Sequence, residues 1–317
     1  MRSTQPRQYV FGPVASRRLG RSLGIDLVPP KTCCYDCVYC QLGRTTNQTI
    51  ERAEYVPTDE VVRQVHQKLE QIALPDYLTL SGSGEPTLHS RLGEIVQTLK
   101  GQFNVPVAIL TSGALLWDPE VRRQCALADL VMPSLDAGDE MLFQYVNRPH
   151  TDLSFLRVVE GLTAFRREYE GPIWLEVLLL AGVTDFEPEV DAIRACVDRI
   201  APDRIQVNTV VRPPAEEYAF RVEDERLADL AVRLGATAEV IPDRMDVTRQ
   251  EPARANLEDI LAYLARRPGS IEEIARGLGV SAADVAKRIA SLHASGVIRV
   301  ARTGRSLLFA LAGAKGR

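Results

Sequence analysis

Four of the six cysteines in this chain lie within eight residues, between Cys33 and Cys40. Cys33, Cys37 and Cys40 have the spacing C-x3-C-x2-C, which can supply three thiolates from one tight loop. Electron-transfer clusters of the ferredoxin type take four cysteines, so that every iron is capped. Three thiolates on a four-iron cluster leave one iron open, and a substrate can coordinate that iron directly. The spacing therefore predicts a redox-active iron–sulfur cluster with one reactive iron.

The alternatives are a structural zinc site, a disulfide pair and buried thiols that cluster by coincidence. Zinc normally takes two ligand pairs, and no second C-x2-C or H-x3-H follows the loop. A disulfide framework fits poorly, because we expect no secretory signal and because Cys125 and Cys196 are remote single cysteines. A second register, C-x2-C-x2-C from Cys34, lacks the x3-C-P that follows it in bacterial ferredoxins. The role of Cys34 stays open.

The composition is that of an ordinary soluble protein, with 45% hydrophobic and 25% charged residues among 317. No apolar run approaches ~18 residues, so we expect no membrane span. The first residues lack the apolar core of a secretory signal, and we expect a reducing, cytoplasmic location. The formal net charge of −4 argues against a chain that coats nucleic acid. Residues 255–317 nevertheless carry ten Lys or Arg and five Asp or Glu, an asymmetry that predicts two functional parts.

Strand-like apolar segments alternate with amphipathic helical patterns. The strand-like segments are 23–28, 77–81, 105–111, 130–134, 173–180 and 205–210, with a further short one at 238–241. The helical patterns include 59–72, 89–99, 155–169 and 190–200. This alternation predicts βαβ units with a parallel sheet, and hence an α/β fold with a partial (β/α)6 TIM-like barrel.

Polar residues stand where the predicted strands end. The cysteine loop follows the first strand, the segment 81–86 (Ser-Gly-Ser-Gly-Glu-Pro) the second, and Ser112 the third. The polar residues on or after the fourth to sixth strands are Ser134, Asp136, Glu176 and Asn208. Functional groups of this architecture lie at the carboxyl ends of the strands, so we expect these side chains at one mouth.

Residues 8–242 resemble the radical S-adenosylmethionine (SAM) superfamily. Besides the three-cysteine loop, Tyr39 matches the aromatic residue that these enzymes usually carry before the last cysteine. Their Gly-Gly-Glu element, which holds the methionine amino group, reads here Ser83-Gly84-Glu85. Gly84 would let the backbone approach the ligand, and Glu85 would accept from an ammonium group. The alternative is an ordinary turn with a solvated glutamate.

The resemblance assigns further residues to the SAM site. Ser134 and Asp136 resemble the positions that contact the ribose, although capping of a strand end explains them nearly as well. Glu176 is a charge within an apolar strand, and it either faces SAM or pairs with a basic residue. Ser112 and Asn208 are further candidates.

The resemblance also implies the chemistry. SAM would chelate the open iron of a [4Fe-4S] cluster, and one electron would cleave it to methionine and a 5′-deoxyadenosyl radical that abstracts hydrogen from a substrate. The electron would come from a low-potential donor of the flavodoxin or ferredoxin type. The catalytic residues toward the substrate are unknown at this point.

Segments 11–24 and 37–43 look like a bacterial group that is distantly similar to the tRNA wyosine-base synthases, which makes RNA modification a candidate reaction. Those synthases carry extra amino-terminal cysteines for a second cluster, and residues 1–32 contain none. Arg17, Arg18, Arg21 and Lys31 could meet an anionic substrate, or form a solvated basic face.

The carboxyl-terminal part resembles a winged helix-turn-helix domain. We expect a radical SAM domain over 1–243, a linker over 244–255 and a winged helix over 256–317. Within the last, 270–278 and 281–294 form helix, turn and helix, with Ser281 and Asp284 spaced as a capping box.

A hairpin turning at Thr303-Gly304 would form the wing. Basic residues predicted on the second helix and the wing are Lys287, Arg288, His293, Arg299, Arg302 and Arg305. Such a module could bind nucleic acid or dock a protein or substrate. Two functions follow: a radical SAM enzyme, or a DNA-binding regulator whose cluster senses redox state without catalysis.

Overall fold

The computed structural model of the protein describes residues 7–242, 257–303 and 306–312. Its strands are β1 (Val10–Ser16), β2 (Gly20–Ile25), β3 (Thr32–Cys33), β4 (Asn47–Gln48), β5 (Tyr77–Leu80), β6 (Val107–Thr111), β7 (Leu130–Pro133), β8 (Trp174–Leu179), β9 (Arg204–Thr209), β10 (Ala238–Val240), β11 (Ile298–Thr303) and β12 (Ser306–Leu311). Its helices are α1 (Thr58–Leu69), α2 (Leu92–Gln102), α3 (Pro119–Cys125), α4 (Glu140–Val146), α5 (Phe155–Glu168), α6 (Glu187–Ile200), α7 (Asp224–Leu234), α8 (Leu257–Arg266), α9 (Ile271–Leu278) and α10 (Ala282–Ala294). The predicted α/β fold is confirmed.

Two sheets carry the site. The first has the order β1-β2-β5-β6-β7 and is parallel from β2 onward, and the second, β8, β9 and β10, is wholly parallel. Single parallel bridges, Val131–Ile173 and Ser134–Glu176, join β7 to β8. The carboxyl ends of β2 and β5–β9 therefore face the same side of the molecule.

Strand β1 was not predicted from the sequence. It pairs antiparallel with β2 at the edge of the first sheet, with a register shift between Phe11 and Val14. Pro13 lies within that irregular stretch, and proline is tolerated at an edge or a bulge because its missing N–H costs no ladder bond there. Gly12 and Pro13 mask the strand pattern, so the apolar residues of this segment are hard to read as a strand.

The core lies on both faces of the parallel strands, as expected for a sheet covered by helices. Leu23, Ile25, Leu78 and Leu80 are fully buried in it. A smaller cluster of Leu19, Ala108, Leu130 and Met132 joins the turn between β1 and β2 to the interior. Since these side chains are packed, the positions of the strand ends are determined by a rigid support.

The carboxyl-terminal helices pack on β1. Phe11 and Val14 share a buried cluster with Ile260, Tyr263 and Ile274, which come from α8 and α9. Two ion pairs join α8 to other elements: Arg266 with Asp26, directly after β2, at 3.0 Å, and Asp259 with Lys68 of α1 at 3.0 Å. The helices α8 and α9 thus cover the free face of the edge strand.

The local predictions for this part are confirmed only in part. Ser281 caps α10 by accepting from the backbone N–H of Asp284, but the reciprocal capping box lies at Ser270 and Glu273, at the start of α9. β11 and β12 form the predicted hairpin. The predicted linker over 244–255 lies outside the described residues, as do Gly304 and Arg305. Among the described helices, none has the length and apolar character that a membrane crossing requires.

Candidate active site

A cavity of about 410 Å³ extends from the carboxyl ends of the parallel strands into the interior. Its walls come from β1 and the turn after it, the cysteine loop, the strand ends, and α8 with the residue directly after it. Six residues predicted from the sequence line it: Tyr39, Cys40, Gly84, Ser134, Glu176 and Asn208. The strand ends therefore converge as the sequence predicts.

The cysteine loop is held in shape by its own backbone. β3 pairs with β4, and the N–H of Cys40 donates to the carbonyl of Cys37 at 3.1 Å. The Lys31 ammonium donates to the carbonyl of Gly43 and lies 3.6 Å from the sulfur of Cys40. The Lys31 ammonium group therefore interacts with groups of the cysteine loop and does not face a substrate.

The three candidate ligands are half-buried, and two receive a donor at sulfur. The Asn147 amide lies 3.6 Å from the sulfur of Cys37, as Lys31 does from that of Cys40. Burial, with the nearby charge of Glu85, raises the pKa of the Cys33 thiol to about 12. Coordination by iron deprotonates a thiol outright, and the donors then stabilise the negative sulfurs. The residues present therefore fit a cluster.

The loop thiols are not gathered tightly enough for a single ion. Within 7–242, 257–303 and 306–312, no three His, Cys, Asp or Glu side chains converge on one point. A four-iron cluster takes one thiolate at each of three irons, which spaces its ligands more widely than those of one ion.

Cys34, which the sequence left open, is fully buried in the main core. Its carbonyl accepts from the backbone N–H of His150 at 2.8 Å. Burial and the charge of Glu85 raise the pKa of its thiol well above the ordinary value. Cys34 therefore acts here as a packed core residue that ties the loop to the segment after α4.

Glu85 has partners that differ from those expected. It is 2% exposed, and its carboxylate accepts from the backbone and hydroxyl groups of Thr87 and Ser112 and from the Thr111 hydroxyl, all between 2.6 and 3.0 Å. A carboxylate has about four lone-pair sites, and five donors occupy them. Glu85 joins the loop after β5 to the end of β6, and Ser112 contributes to that joint.

Gly84 lies against the cysteine loop. A Cβ atom at this position would stand 1.9 Å from the carbonyl oxygen of Thr32, the residue before Cys33. The next N–H, that of Glu85, donates to the same oxygen at 3.1 Å. Only glycine allows this approach, so the loop after β5 and the cysteine loop are in direct backbone contact.

Tyr39 and Asp136 form one unit behind the cysteines. The Tyr39 hydroxyl donates to Asp136, which also accepts from the Asn147 amide at 2.8 Å and the Leu178 N–H at 3.0 Å. Burial raises the pKa of Asp136 to about 6. Asp136 is 2% exposed and is not among the residues that line the cavity, so it orients the Tyr39 ring through the hydroxyl.

Glu176 lines the cavity and also pairs with a basic residue, so the two roles considered for it occur together. It forms an ion pair with Arg18 and accepts from the Asn208 amide at 2.9 Å. Burial tends to raise the pKa of Glu176, but Arg18 and Asn208 outweigh it and lower the pKa. Asn208 also accepts from Arg17 at 3.3 Å. Arg17 and Arg18 therefore belong to the cavity wall and not to a solvated face.

Several residues in or beside the cavity could not be found from the sequence. Asn147 follows α4, and Arg212 follows β9, where no motif marks them. Tyr263 lies on α8 and Arg267 directly follows it, in the part of the chain that the sequence predicts to be a separate module. They reach the cavity because α8 packs on β1.

Comparison with known proteins agrees with this geometry. The model of the Radical SAM superfamily matches residues 27–193, which include the cysteine loop and the ends of β5–β8. The chain belongs to the radical SAM superfamily. Enzymes of this superfamily use SAM and a [4Fe-4S] cluster.

The curated relatives include proteins of different lengths. The chain is 38% identical over 293 residues to "GTPase Obg" of Brachyspira hyodysenteriae, which covers 92% of this chain and 43% of that protein. It is 40% identical to UPF0026 protein MJ1312 of Methanocaldococcus jannaschii, over 66% of this chain and 65% of that one. A UPF0026 protein of Helicobacter pylori is 35% identical over 83% of this chain and 86% of its own length. The chain thus spans less than two thirds of the first two relatives.

Solved structures resemble the fold at low sequence identity. TYW1 with a lysine-pyruvate adduct bound has a TM-score of 0.53 at 15% identity, over 71% of this chain and 75% of that one. A radical SAM methyltransferase from Sphaerobacter thermophilus has a TM-score of 0.55 at 18% identity, over 69% and 65%. At these identities the likeness concerns the fold alone.

Proposed function

We propose that Cys33, Cys37 and Cys40 bind the [4Fe-4S] cluster and that the adjoining cavity binds SAM and substrate. One observation carries the proposal. A single cavity is lined by Cys40 of the cysteine loop and by Gly84, Ser134, Glu176 and Asn208 from four strand ends. When bound, the cluster and SAM would together supply one-electron reductive cleavage of SAM and hydrogen abstraction from a substrate.

The residues of the chain bind, orient and exclude water. Tyr39, held by Asp136, presents its ring to the cavity beside Cys40. Glu176 and Asn208 present polar groups that are already hydrogen-bonded, so they lose little freedom when a ligand binds. Packing of the interior around these groups limits the entry of water, which protects a radical from side reactions.

Glu85 acts, in this proposal, as a positioning residue. Its oxygens are occupied by donors from Thr87, Thr111 and Ser112, which leaves the backbone around Gly84 to face a ligand. Glu85 therefore supports the loop that contacts the ligand, and it does not itself accept from the ammonium group.

The architecture supports two finer proposals. A partial (β/α)6 barrel is supported by the parallel strands of the two sheets, which single bridges join between β7 and β8. Three helices followed by the β11–β12 hairpin have the element order of a winged helix. The division into 1–243, 244–255 and 256–317 stays a prediction, and the packing of α8 and α9 on β1 favours one body over two separate ones.

RNA modification is a second candidate activity. Lys287 on α10 and Arg299 on β11 are exposed, and basic side chains at such places contact phosphates in other nucleic-acid-binding modules. The regulator without catalysis is disfavoured by membership of an enzyme superfamily. An electron donor of the flavodoxin or ferredoxin type and a reducing, cytoplasmic compartment complete the proposal, since an open cluster requires both.

The test is anaerobic reconstitution with iron and sulfide, followed by dithionite and SAM, with 5′-deoxyadenosine as the product measured. We expect Cys37→Ala to lose both the cluster absorbance and the product. Cys196→Ala, a buried cysteine of α6, is the matched control and should retain both. Product formation at the unsubstituted rate in Cys37→Ala would contradict the proposal. A cluster that forms without SAM cleavage would favour the redox-sensing regulator.

A further inference from the structure

The cavity has an unusually basic lining. Among the described residues, five arginines line it: Arg17, Arg18, Arg212, Arg266 and Arg267. Three are paired with carboxylates: Arg18 with Glu176, Arg266 with Asp26 at 3.0 Å, and Arg212 with Glu273 at 2.9 Å. Among the described lining residues Glu176 is the one carboxylate, so the lining itself contains five basic side chains and one acidic one.

Arg267 is supported by neutral groups. Its guanidinium donates to the Ala15 carbonyl at 3.0 Å and to the Tyr263 hydroxyl at 2.5 Å, and it lies over the Tyr263 ring at 4.7 Å. Within the described part of the chain, no carboxylate lies within ion-pair distance of Arg267, and its buried Nε lacks a hydrogen-bond partner. Neutral groups therefore orient the Arg267 guanidinium, which has no direct ion pair among the described residues.

Arg267 and Arg212 crowd the same carboxylate. Burial tends to raise the pKa of Glu273, and Arg212, Arg267 and Arg17 outweigh it and lower the pKa. Burial, and next the repulsion from Arg267, lower the pKa of Arg212, and Glu273 offsets them only in part. Two guanidinium groups that repel each other in a closed space would both gain from a further anion.

We propose that Arg267, with Arg212 and Tyr263, binds an oxyanion of the substrate, a phosphate or a carboxylate, and that the substrate is a small molecule. The inference rests on the proposed function, because it places this anion in the cavity that also takes SAM. Arg212 is only 7% exposed and α8 packs beside it, so the binding groups lie inside a cavity and not on an open groove that would suit a polymer. The Tyr263 hydroxyl accepts from Arg267, and its own hydrogen can be donated to the anion.

The carboxyl-terminal helices then contribute to substrate selection. Arg267 directly follows α8, and its N–H donates to the Tyr263 carbonyl at 3.2 Å, which fixes the two side chains relative to each other. Arg212 reaches the same place from the end of β9 and donates to the Pro268 carbonyl at 3.1 Å. The anion site is thus assembled from both parts of the chain.

The experiment measures binding of inorganic phosphate and of succinate to the full-length, reconstituted protein by calorimetry. We compare the unsubstituted protein with Arg267→Gln, and with Arg199→Gln on the exposed face of α6 as the control. We expect saturable binding that falls at least about tenfold in Arg267→Gln and is unchanged in Arg199→Gln. Tyr263→Phe removes the hydroxyl and keeps the ring under Arg267, and it should weaken anion binding several-fold. Thermal unfolding of each variant identifies any that fail to fold, and Arg267→Lys, which keeps the charge, should bind better than Arg267→Gln.

Three outcomes would overturn the inference. Equal binding by the unsubstituted protein and Arg267→Gln would show an adventitious ion only. Weaker binding of SAM in Arg267→Gln, with phosphate binding unchanged, would assign the cation to the carboxylate of the cofactor. If tRNA displaces phosphate from the unsubstituted protein and binds Arg267→Gln more weakly, the anion site would be assigned to nucleic acid. Failure of SAM cleavage in the unsubstituted protein would contradict the proposed function separately, because anion binding is measured without turnover.

Discussion

The amide of Asn147 lies 3.6 Å from the sulfur of Cys37, although 110 residues separate them in the chain. The same amide donates to Asp136, which accepts from the Tyr39 hydroxyl. One side chain at the end of α4 therefore connects a candidate iron ligand with the group that orients the aromatic ring. Hydrogen bonds to cluster sulfurs are among the factors that set reduction potential.

We expect Asn147→Leu to lower the reduction potential of the cluster, because the negative sulfur loses a donor. Activity should fall by about 10- to 100-fold, as for other residues that support a metal ligand. A redox titration followed by electron paramagnetic resonance measures the potential. Gln144→Leu, on the exposed side of α4, is the control. An unchanged potential in Asn147→Leu would show that the contact with Cys37 is incidental.

We expect Glu85→Ala to destabilise the protein, because it leaves donors from Thr87, Thr111 and Ser112 buried without an acceptor. The free energy of unfolding should fall by about 3–5 kcal/mol, and SAM binding should be lost together with the loop geometry. Urea unfolding of the protein measures the first effect. Glu94→Ala, which removes an exposed surface pair, should cost under about 1 kcal/mol. A stable Glu85→Ala variant that fails only to bind SAM would instead support direct contact with the ammonium group.

Gly84→Ala should separate the loop after β5 from the cysteine loop. The added Cβ meets a backbone carbonyl, that of Thr32, which cannot move aside as a side chain can. We expect a loss of about 1–3 kcal/mol in the free energy of unfolding and poor cluster assembly. Gly101→Ala in α2 has open space around it and should stabilise by about 0.5–1 kcal/mol. Normal iron content in Gly84→Ala would be evidence against the contact.

His89 should make the protein less stable in acid. It is fully buried, with Nε2 2.9 Å from the Val56 carbonyl and Nδ1 accepting from the Arg91 N–H, so its ring is neutral. Burial, the largest cause, lowers its pKa below the ordinary 6.5. The unfolded chain therefore binds the proton first, and the free energy of unfolding falls as pH drops below about 6.5, by at most about 1.4 kcal/mol per pH unit.

Urea unfolding at several pH values between 7 and 5 measures this effect. His89→Gln should remove it and flatten the slope relative to the unsubstituted protein. His66→Gln, an exposed histidine, should leave the slope unchanged. Identical slopes in all three proteins would rule out a buried neutral His89.

The sequence predicts well what depends on a local pattern. Strands β2 and β5–β9 follow from their apolar runs, and the cysteine loop follows from its spacing. The convergence of Ser134, Glu176 and Asn208 on one cavity follows from the rule that places function at the carboxyl ends of parallel strands.

What the sequence does not predict depends on contacts between distant segments. The partners of Glu85 come from β6 and its loop, and the ion pair of Arg212 with Glu273 joins two segments 61 residues apart. No spacing rule encodes such pairs, since the first arises when β5 pairs with β6 and the second when α9 packs against the rest of the chain. The role of β1 itself was hidden by Gly12 and Pro13.

Asp26 accepts from the backbone N–H of Ser83 with one oxygen and from the guanidinium of Arg266 with the other. The glycine-rich loop after β5 and the helix α8 therefore share one carboxylate. By thermodynamic linkage, any ligand that orders this loop must favour docking of α8 to the extent that docking of α8 favours the ligand. Affinity for the cofactor would then depend on whether the carboxyl-terminal helices are docked. A chain shortened before residue 257 would bind its cofactor more weakly, even though every candidate iron ligand is present.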